Sequence, residues 1–269
     1  MDHHPNWASN QRVSSGDQHS RDAVQKGDVM SDRILYYGES GRGCIGSIDA
    51  DNLLQDVTVL EEGTFASDWT LITALSGDRI LYYAGASGRA CIGSIDDNNV
   101  LQDVVAFPEP PEGVFTPGFT EVATFSGDRV LFYGGSDERS WLFSIPDHNA
   151  PQALTFFEPG AFAPDWKQIT GLSGNRILFY GEGGRGCIGA IDADNKFHDV
   201  TIYSEGAFAP DWAQIAGLSG DRILYYGGES GRGCIGSVDS NNVLKDVTVL
   251  DEGSFAPDWK QITFLRPPG

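Results

Sequence analysis

The chain has 269 residues and a formal charge of −20 at pH 7. This charge argues against nucleic acid as a partner, because binding to phosphates depends on Lys and Arg that release counterions. The sequence contains no apolar run of 18 residues, so no membrane insertion is expected. Residues 1–30 are polar and lack the apolar segment of a signal peptide. We expect this segment to be a disordered tail, and the protein to be cytoplasmic or released without a signal peptide. Composition leaves the oligomeric state open.

One short phrase recurs five times from residue 32 onward. It first reads Asp-Arg-Ile-Leu-Tyr-Tyr-Gly, and its Arg lies at positions 33, 79, 129, 176 and 222. Self-similarity at this period is typical of folds that stack one supersecondary unit many times. The repeats reach the C-terminus, so residues 31–269 are predicted to form a single domain.

Each repeat contains four short β-strand patterns, which we call strands a to d in chain order. In the second repeat they cover residues 69–75, 79–83, 91–95 and 103–107, with turns rich in Gly, Ser, Asp and Asn between them. Four strands in one such unit are typical of a propeller blade. Strand direction alternates, so the b–c loops and the d–a connections share one face of the ring, the connection face. The a–b and c–d turns share the other, the turn face.

The first and last repeats contain complementary strands that can close the ring. The first repeat begins with strand b at Asp32, and an extra strand a follows the last repeat at residues 258–264. The predicted fold is therefore all-β: a five-bladed β-propeller of four-stranded antiparallel blades, closed by the C-terminal strand, which completes the first blade. Such closure leaves no exposed sheet edge at the ends of the domain.

Four cysteines occupy the same position in four different repeats: Cys44, Cys91, Cys187 and Cys234. Equivalent positions in separate blades lie too far apart for a disulfide. We expect buried, reduced thiols, which favours a reducing compartment.

The repeat pattern resembles that of a known family. Most units open one strand with a Trp, and Asp-Asn pairs such as Asp51-Asn52 and Asp194-Asn195 lie in the c–d turns. In this architecture the chain resembles the tachylectin family of five-bladed propeller lectins, although that family's contiguous Asp-Asn-Trp run is missing here. The resemblance implies binding of N-acetylhexosamine-type sugars at several equivalent sites between blades.

Three sets of residues on the connection face are the first candidates for ligand binding. An Arg fork in a Gly-flanked loop can donate several hydrogen bonds to sugar hydroxyls, or it can form a structural salt bridge with an Asp on the same face. The Trp side chains are either stacking platforms or wedges between blades. These candidates are Arg42, Arg89, Arg185, Arg232, Asp68, Asp165, Asp211, Asp258, Trp69, Trp166, Trp212 and Trp259.

The alternative site lies on the turn face, where one Asn recurs in every c–d turn. Asn tolerates the left-handed conformation, so the alternative interpretation is a plain turn residue. The five are Asn52, Asn99, Asn149, Asn195 and Asn242. The Asp-Ala-Asp-Asn runs at 49–52 and 192–195 lack the Gly and Glu of a calcium loop, and neither a metal nor a cofactor is expected.

The leading functional hypothesis is a multivalent lectin whose partners are glycans or small neutral sugars, with no catalytic residue. The alternatives are an enzyme, glycosidase- or lyase-like, with one active centre at the propeller mouth or tunnel, and a protein-interaction platform. The third repeat departs most from the others, with Phe119 in place of Trp, Trp141 in place of Cys, and the acidic pair Asp137-Glu138. It is either a lost site or a specialised one.

Overall fold

The computed structural model describes residues 31–134 and 139–265, except for the side chains at 56–57, 103–104 and 246–247. The described residues form five four-stranded antiparallel sheets, which confirms the predicted five-bladed propeller. Blade 1 consists of β1(Asp32–Gly38), β2(Gly43–Ile48), β3(Leu54–Leu60) and β20(Trp259–Leu265). Blade 2 consists of β4(Leu71–Ala74), β5(Arg79–Ala84), β6(Arg89–Ile95) and β7(Leu101–Phe107).

The remaining three blades follow in chain order. Blade 3 consists of β8(Glu121–Phe125), β9(Arg129–Tyr133), β10(Ser140–Ser144) and β11(Gln152–Phe157). Blade 4 consists of β12(Trp166–Gly171), β13(Arg176–Gly181), β14(Gly186–Ile191) and β15(Phe197–Tyr203). Blade 5 consists of β16(Gln214–Gly217), β17(Arg222–Tyr226), β18(Gly233–Val238) and β19(Leu244–Leu250). The a strands of neighbouring blades contact one another around the axis, and the d strands lie outermost.

Ring closure occurs as the sequence predicts. The C-terminal strand β20 pairs antiparallel with β1, with Ile262 opposite Tyr36 and Thr263 opposite Leu35. Blade 1 is therefore built from both ends of the described chain.

The core lies between the blades, where apolar side chains of adjacent sheets interdigitate. One of its five clusters joins Tyr37 of blade 1 to Trp69 and Tyr82 of blade 2, with Phe65 from the connection between them. Trp69 is buried, and its ring centroid lies 5.8 Å from that of Tyr82. The Trp side chains thus act as wedges between blades, which is one of the two roles expected for them.

A Tyr near the end of each b strand holds the d–a connection in place. Its hydroxyl donates to a carbonyl oxygen in that connection, at 2.7 to 3.0 Å. The five pairs are Tyr37 to Ala66, Tyr83 to Thr116, Tyr133 to Ala163, Tyr180 to Ala209 and Tyr226 to Ala256. Where the connection passes the b–c loop, the backbones approach so closely that Gly41, at φ +68°, has no room for a Cβ beside the Phe65 carbonyl.

The four cysteines are free and buried, as predicted. The Sγ of Cys187 lies 3.5 Å from the Asp199 carboxylate, and burial together with this carboxylate raises the pKa of the thiol to about 12. A thiol with such a pKa is protonated at neutral pH and is a poor nucleophile. Cys187 therefore serves as packing, not as a reactive group.

Candidate functional site

On the connection face, four blades carry the same Arg–Asp–Trp arrangement. In each, the guanidinium lies over the Trp ring, with Cζ 4.2 to 4.7 Å from the ring centroid, and forms an ion pair with the Asp that precedes the Trp. The ion pairs are Arg42 with Asp258, Arg89 with Asp68, Arg185 with Asp165, and Arg232 with Asp211. The structure thus contains the salt bridges that were expected as the structural alternative. A ligand-binding role for these residues stays a prediction.

On the turn face, the five Asn residues link neighbouring blades. Each has a φ of 57° to 61°, the left-handed conformation that suits a turn. Each side-chain oxygen accepts from the strand-b Arg of the preceding blade. The pairs are Arg33 to Asn99, Arg79 to Asn149, Arg129 to Asn195, Arg176 to Asn242 and Arg222 to Asn52. These contacts account for the Asn without a ligand, and the alternative binding site stays a prediction.

The same Arg residues also contact the first residue of the repeated phrase in the following blade. That residue is Asp in four blades; Arg176, for example, lies 2.5 Å from Asp221. In the remaining blade the residue that contacts Arg129 is Asn175. Its side-chain oxygen accepts a hydrogen bond of 2.6 Å from the Arg129 guanidinium. Burial lowers the pKa of Arg129, and the nearby Asp192 carboxylate opposes this shift.

We therefore expect Asn175→Asp to stabilise the protein. The new carboxylate should replace the neutral amide acceptor of Arg129 with a charged one, which forms an ion pair, and raise the free energy of unfolding by about 0.5–1 kcal/mol. Urea unfolding near pH 7 measures this change, and the matched variant Asp221→Asn should lower stability by at least as much. Equal stabilities for wild type and both variants would show that the carboxylates contribute nothing to the blade contacts.

At the axis, the five a strands enclose a polar cavity of about 40 Å³. At its connection-face end, one position of strand a contributes a residue from each of four blades. In blades 4, 5 and 1 this residue is a Gln, and in blade 3 it is Glu121. Blade 2 carries Leu71 at this position, and Leu71 is buried in the core between blades 2 and 3. The three amides belong to Gln168, Gln214 and Gln261. Deeper in the cavity, Thr73, Thr124, Thr170 and Thr263 contribute to the wall.

Glu121 is the one carboxylate among the residues that line this cavity. It lines the cavity and is partly exposed. Desolvation raises the pKa of Glu121 well above its ordinary value, and a hydrogen bond from the Ile169 N–H opposes this only in part. A desolvated carboxyl in a polar cavity is the kind of group that serves in acid–base chemistry.

Sequence reasoning missed Glu121. The signal was present, because aligning Phe119-Thr120-Glu121 with Trp166-Lys167-Gln168 places the Glu where other repeats carry Gln. The acidic pair Asp137-Glu138, the departure in charge noted for the third repeat, lies outside the described residues. The nearby Glu109 and Glu112 are exposed.

The connection face is thus not five-fold symmetric, and most of its departures lie in blade 3. Phe119 occupies the position of the Trp and packs against Phe132 at 5.0 Å between centroids. Gly118 occupies the position of the Asp, so the Arg–Asp–Trp arrangement of the other blades does not form there. Glu121 follows two residues later. Blade 3 therefore differs from its neighbours in both the rim and the axial cavity.

In the described residues, no cluster of three or more His, Cys, Asp or Glu side chains is arranged to hold a metal ion. Nor does any helix within the described ranges have the length and hydropathy needed to cross a membrane.

Solved structures of other proteins resemble this fold, but the sequence comparisons found no match. No protein-family model and no curated protein sequence matches the chain. A solved structure of a putative 6-phosphogluconolactonase from Bacteroides fragilis has a TM-score of 0.50 and 12% identity, covering 87% of this chain and 85% of its own. The periplasmic gluconolactonase of Pseudomonas aeruginosa has a TM-score of 0.43 and 11% identity, covering 84% and 70%. Virginiamycin B lyase from Staphylococcus aureus has a TM-score of 0.38 and 16% identity, covering 79% and 68%.

These findings correct two expectations from the sequence. The resemblance to the tachylectin lectins is wrong, and with it the multivalent lectin function, because the similar propeller from Bacteroides fragilis is described as a putative 6-phosphogluconolactonase and not as a lectin. The resemblance rested on repeat number, blade length and Asp-Asn turns, which follow from closing a ring of five blades and are not specific to sugar binding.

Proposed function

We propose that this protein is an enzyme with a single active centre at the connection-face end of the axial cavity. Glu121 is its acid–base residue, and small, uncharged sugar-derived lactones are its substrates. The observation that carries this proposal is the position of Glu121, one desolvated carboxyl beside the three amides of Gln168, Gln214 and Gln261 in the lining of the axial cavity. A position filled by neutral side chains alone would suit a structural role, whereas one carboxyl among amides creates one distinct centre.

The substrate class follows from chemistry and from the similar fold. Amide groups of Gln168, Gln214 and Gln261 can donate to a carbonyl oxygen and accept from hydroxyls. The Bacteroides fragilis propeller is described as acting on a phosphorylated sugar lactone. Here the residues lining the cavity include no Lys or Arg, and the chain carries a charge of −20. Both features disfavour a phosphate group, so the proposed substrate is the unphosphorylated lactone.

The cavity sets the geometry of the reaction. About 40 Å³ accommodates only a few water-sized groups, so the lactone lies across the mouth with its carbonyl directed inward. Ionised Glu121 takes a proton from a water molecule as the water oxygen bonds to the carbonyl carbon. The ring C–O bond then breaks, the protonated Glu121 returns the proton to the leaving oxygen, and a hydroxy acid is released. Amide donors stabilise the negative carbonyl oxygen in between.

The test is hydrolysis of D-glucono-δ-lactone and of its 6-phosphate, followed by acid release against spontaneous hydrolysis in the same buffer. The expected result is acceleration that depends on protein concentration, with the unphosphorylated lactone preferred. Rates equal to those of buffer alone for both compounds, and for a set of smaller lactones, would overturn the proposal.

A further inference from the structure

Around the axis, a Thr hydroxyl of one a strand accepts a hydrogen bond from the backbone of the next. In blade 5, the Gly217 N–H donates to the Thr170 hydroxyl of blade 4, at 2.7 Å. In blade 2, the Ala74 N–H donates in the same way to Thr263 of blade 1, at 3.1 Å. Each of these Thr residues lies two positions after the Gln of its own strand. The contact therefore joins equivalent positions of successive blades.

Two blades depart from this pattern, because Ala123 in blade 3 and Ala216 in blade 5 occupy the position of the Thr. Only Ala123 follows a carboxylate, since Glu121 lies two residues before it. Alternate residues of a strand share one face. That face is toward blade 4, because Ala123 is buried in the cluster between blades 3 and 4, and Glu121 accepts from the Ile169 N–H of blade 4. The methyl group of Ala123 cannot accept a hydrogen bond beside the proposed base.

The donor that corresponds to the Gly217 N–H at this contact is the N–H of Gly171. Its neighbour Leu172 donates to the carbonyl oxygen of Arg176 on strand b, at 2.9 Å. Successive N–H groups of a strand point to opposite sides, and β12 lies at the inner edge of its sheet. The Gly171 N–H therefore faces blade 3 and the axial cavity, on the same side as the Ile169 N–H.

A water molecule fits between this N–H group and the carboxylate. The Ile169 and Gly171 N–H groups lie about 7 Å apart along the strand. Two successive hydrogen bonds through one water span up to about 6 Å, so a water on Gly171 reaches a carboxylate held at Ile169. The cavity has a volume of about 40 Å³, and Glu121, Ala123 and Gly171 all line it. One water needs only about 10–15 Å³ of such space, provided that polar partners are present.

We infer that the space beside the Ala123 methyl group holds the water molecule that attacks the lactone. This water accepts from the Gly171 N–H and donates to a carboxylate oxygen of Glu121, which takes that proton as the water oxygen bonds to the carbonyl carbon. Ala123 and Gly171 are thus positioning residues, which act through the water and not on the lactone. The inference rests on the reaction proposed above for Glu121 and adds the source of its nucleophile.

Ala123→Thr should displace this water while keeping the fold. It installs the residue of blades 1, 2 and 4 and reproduces the Thr170–Gly217 pair, now with Gly171 as the donor. For D-glucono-δ-lactone, kcat should fall at least about tenfold and KM should change less than about twofold, because the water takes part in the reaction but not in lactone binding. The midpoint of urea unfolding should not fall, since the new hydroxyl accepts from the Gly171 N–H.

Two further variants separate loss of the water from a change in packing. Ala123→Val has the shape of Thr but no acceptor, so it should lose kcat equally and should also unfold at lower urea. Ala216→Ser adds a hydroxyl at the corresponding position of blade 5, which follows Gln214 and not a carboxylate. This control should keep kcat within about twofold of wild type.

A high-resolution crystal structure of the full-length protein tests the water directly. The wild type should show an ordered water within hydrogen-bond distance of the Gly171 nitrogen and a Glu121 carboxylate oxygen, and Ala123→Thr should show its hydroxyl there instead. Absence of that water, or an unchanged kcat in Ala123→Thr, overturns this inference and leaves the proposed reaction standing. A wild type that hydrolyses no lactone overturns the proposed function and with it the role of the water, even with the water in place.

Discussion

Replacing Glu121 with Gln is expected to lower kcat/KM for lactone hydrolysis by about 10²- to 10⁴-fold, the usual contribution of a positioned acid–base group. The amide is nearly isosteric and already occupies the same position in blades 1, 4 and 5, so the fold should accept it without adjustment. What the amide lacks is the ability to take up a proton from water.

The wild-type pH profile provides a second test of the same residue. General-base action needs the ionised carboxylate, and desolvation raises the pKa of Glu121 well above its ordinary value. Activity should therefore rise with pH through a pKa higher than that of an exposed Glu, which is about 4.3. Glu112→Gln removes an exposed carboxylate on the blade 2–3 connection and should leave activity unchanged. If Glu121→Gln keeps activity within twofold of wild type, Glu121 is not the base.

The same substitution should stabilise the protein at alkaline pH. A carboxyl whose pKa is raised in the folded state favours folding at low pH, and this contribution is lost as pH rises through the folded-state pKa. Gln does not titrate, so the variant should exceed wild type by about 1–3 kcal/mol at pH 8. The difference should shrink toward pH 5, the practical lower limit because the sequence pI is about 4.4. Urea unfolding at the two pH values measures it, and a difference that does not depend on pH would contradict the assignment.

Loss of activity with gain of stability is the expected pattern when a residue is kept for chemistry. Neither result alone separates a catalytic role from a structural one. Removing a structural Glu would lower both activity and stability, and removing a Glu without a role would change neither. The combination in one variant assigns Glu121 to the reaction.

The fold was predictable because the four-strand pattern of a blade recurs in five repeats. Strand a of the second repeat was expected at residues 69–75 and is found as Leu71–Ala74, and the closing strand pairs with β1 as its position implied. The Arg–Asp pairs on the connection face could also be expected, since oppositely charged residues recur in register. Pairing of this kind depends on features that every blade shares.

The axial site was not predictable in the same way, because it depends on a departure from the repeat. Glu121 occupies a position where blades 1, 4 and 5 carry Gln. A consensus of the repeats emphasises what recurs, and it therefore pointed to Arg42 and its equivalents. Subtracting the consensus from each repeat would have singled out Glu121, but only the structure shows that it lies in a cavity.

The ring closure leads to the largest stability effect that we expect. Ile262→Asp should lower the free energy of unfolding by at least about 4 kcal/mol, since it removes a buried aliphatic side chain and places a charge in its position. Ile262 is 5% exposed in the cluster between blades 5 and 1, and its backbone pairs with Tyr36. Disrupting β20 opens the edge of β1 and separates the two ends of the domain at once.

The control makes the same chemical change at the opposite edge of a blade. Ile202 lies on the outermost strand of blade 4 and is 74% exposed, so Ile202→Asp should change stability by no more than about 0.5 kcal/mol. Urea unfolding followed by tryptophan fluorescence compares the two, because Trp259 of the closing strand lies against Tyr36 of β1. If closure holds the ring together, Ile262→Asp unfolds all blades in one transition at lower urea. The contrary result is loss of only the Trp259 signal, while the other blades unfold as in wild type. That result would show that four blades are stable without blade 1, and that β20 does not hold the ring together.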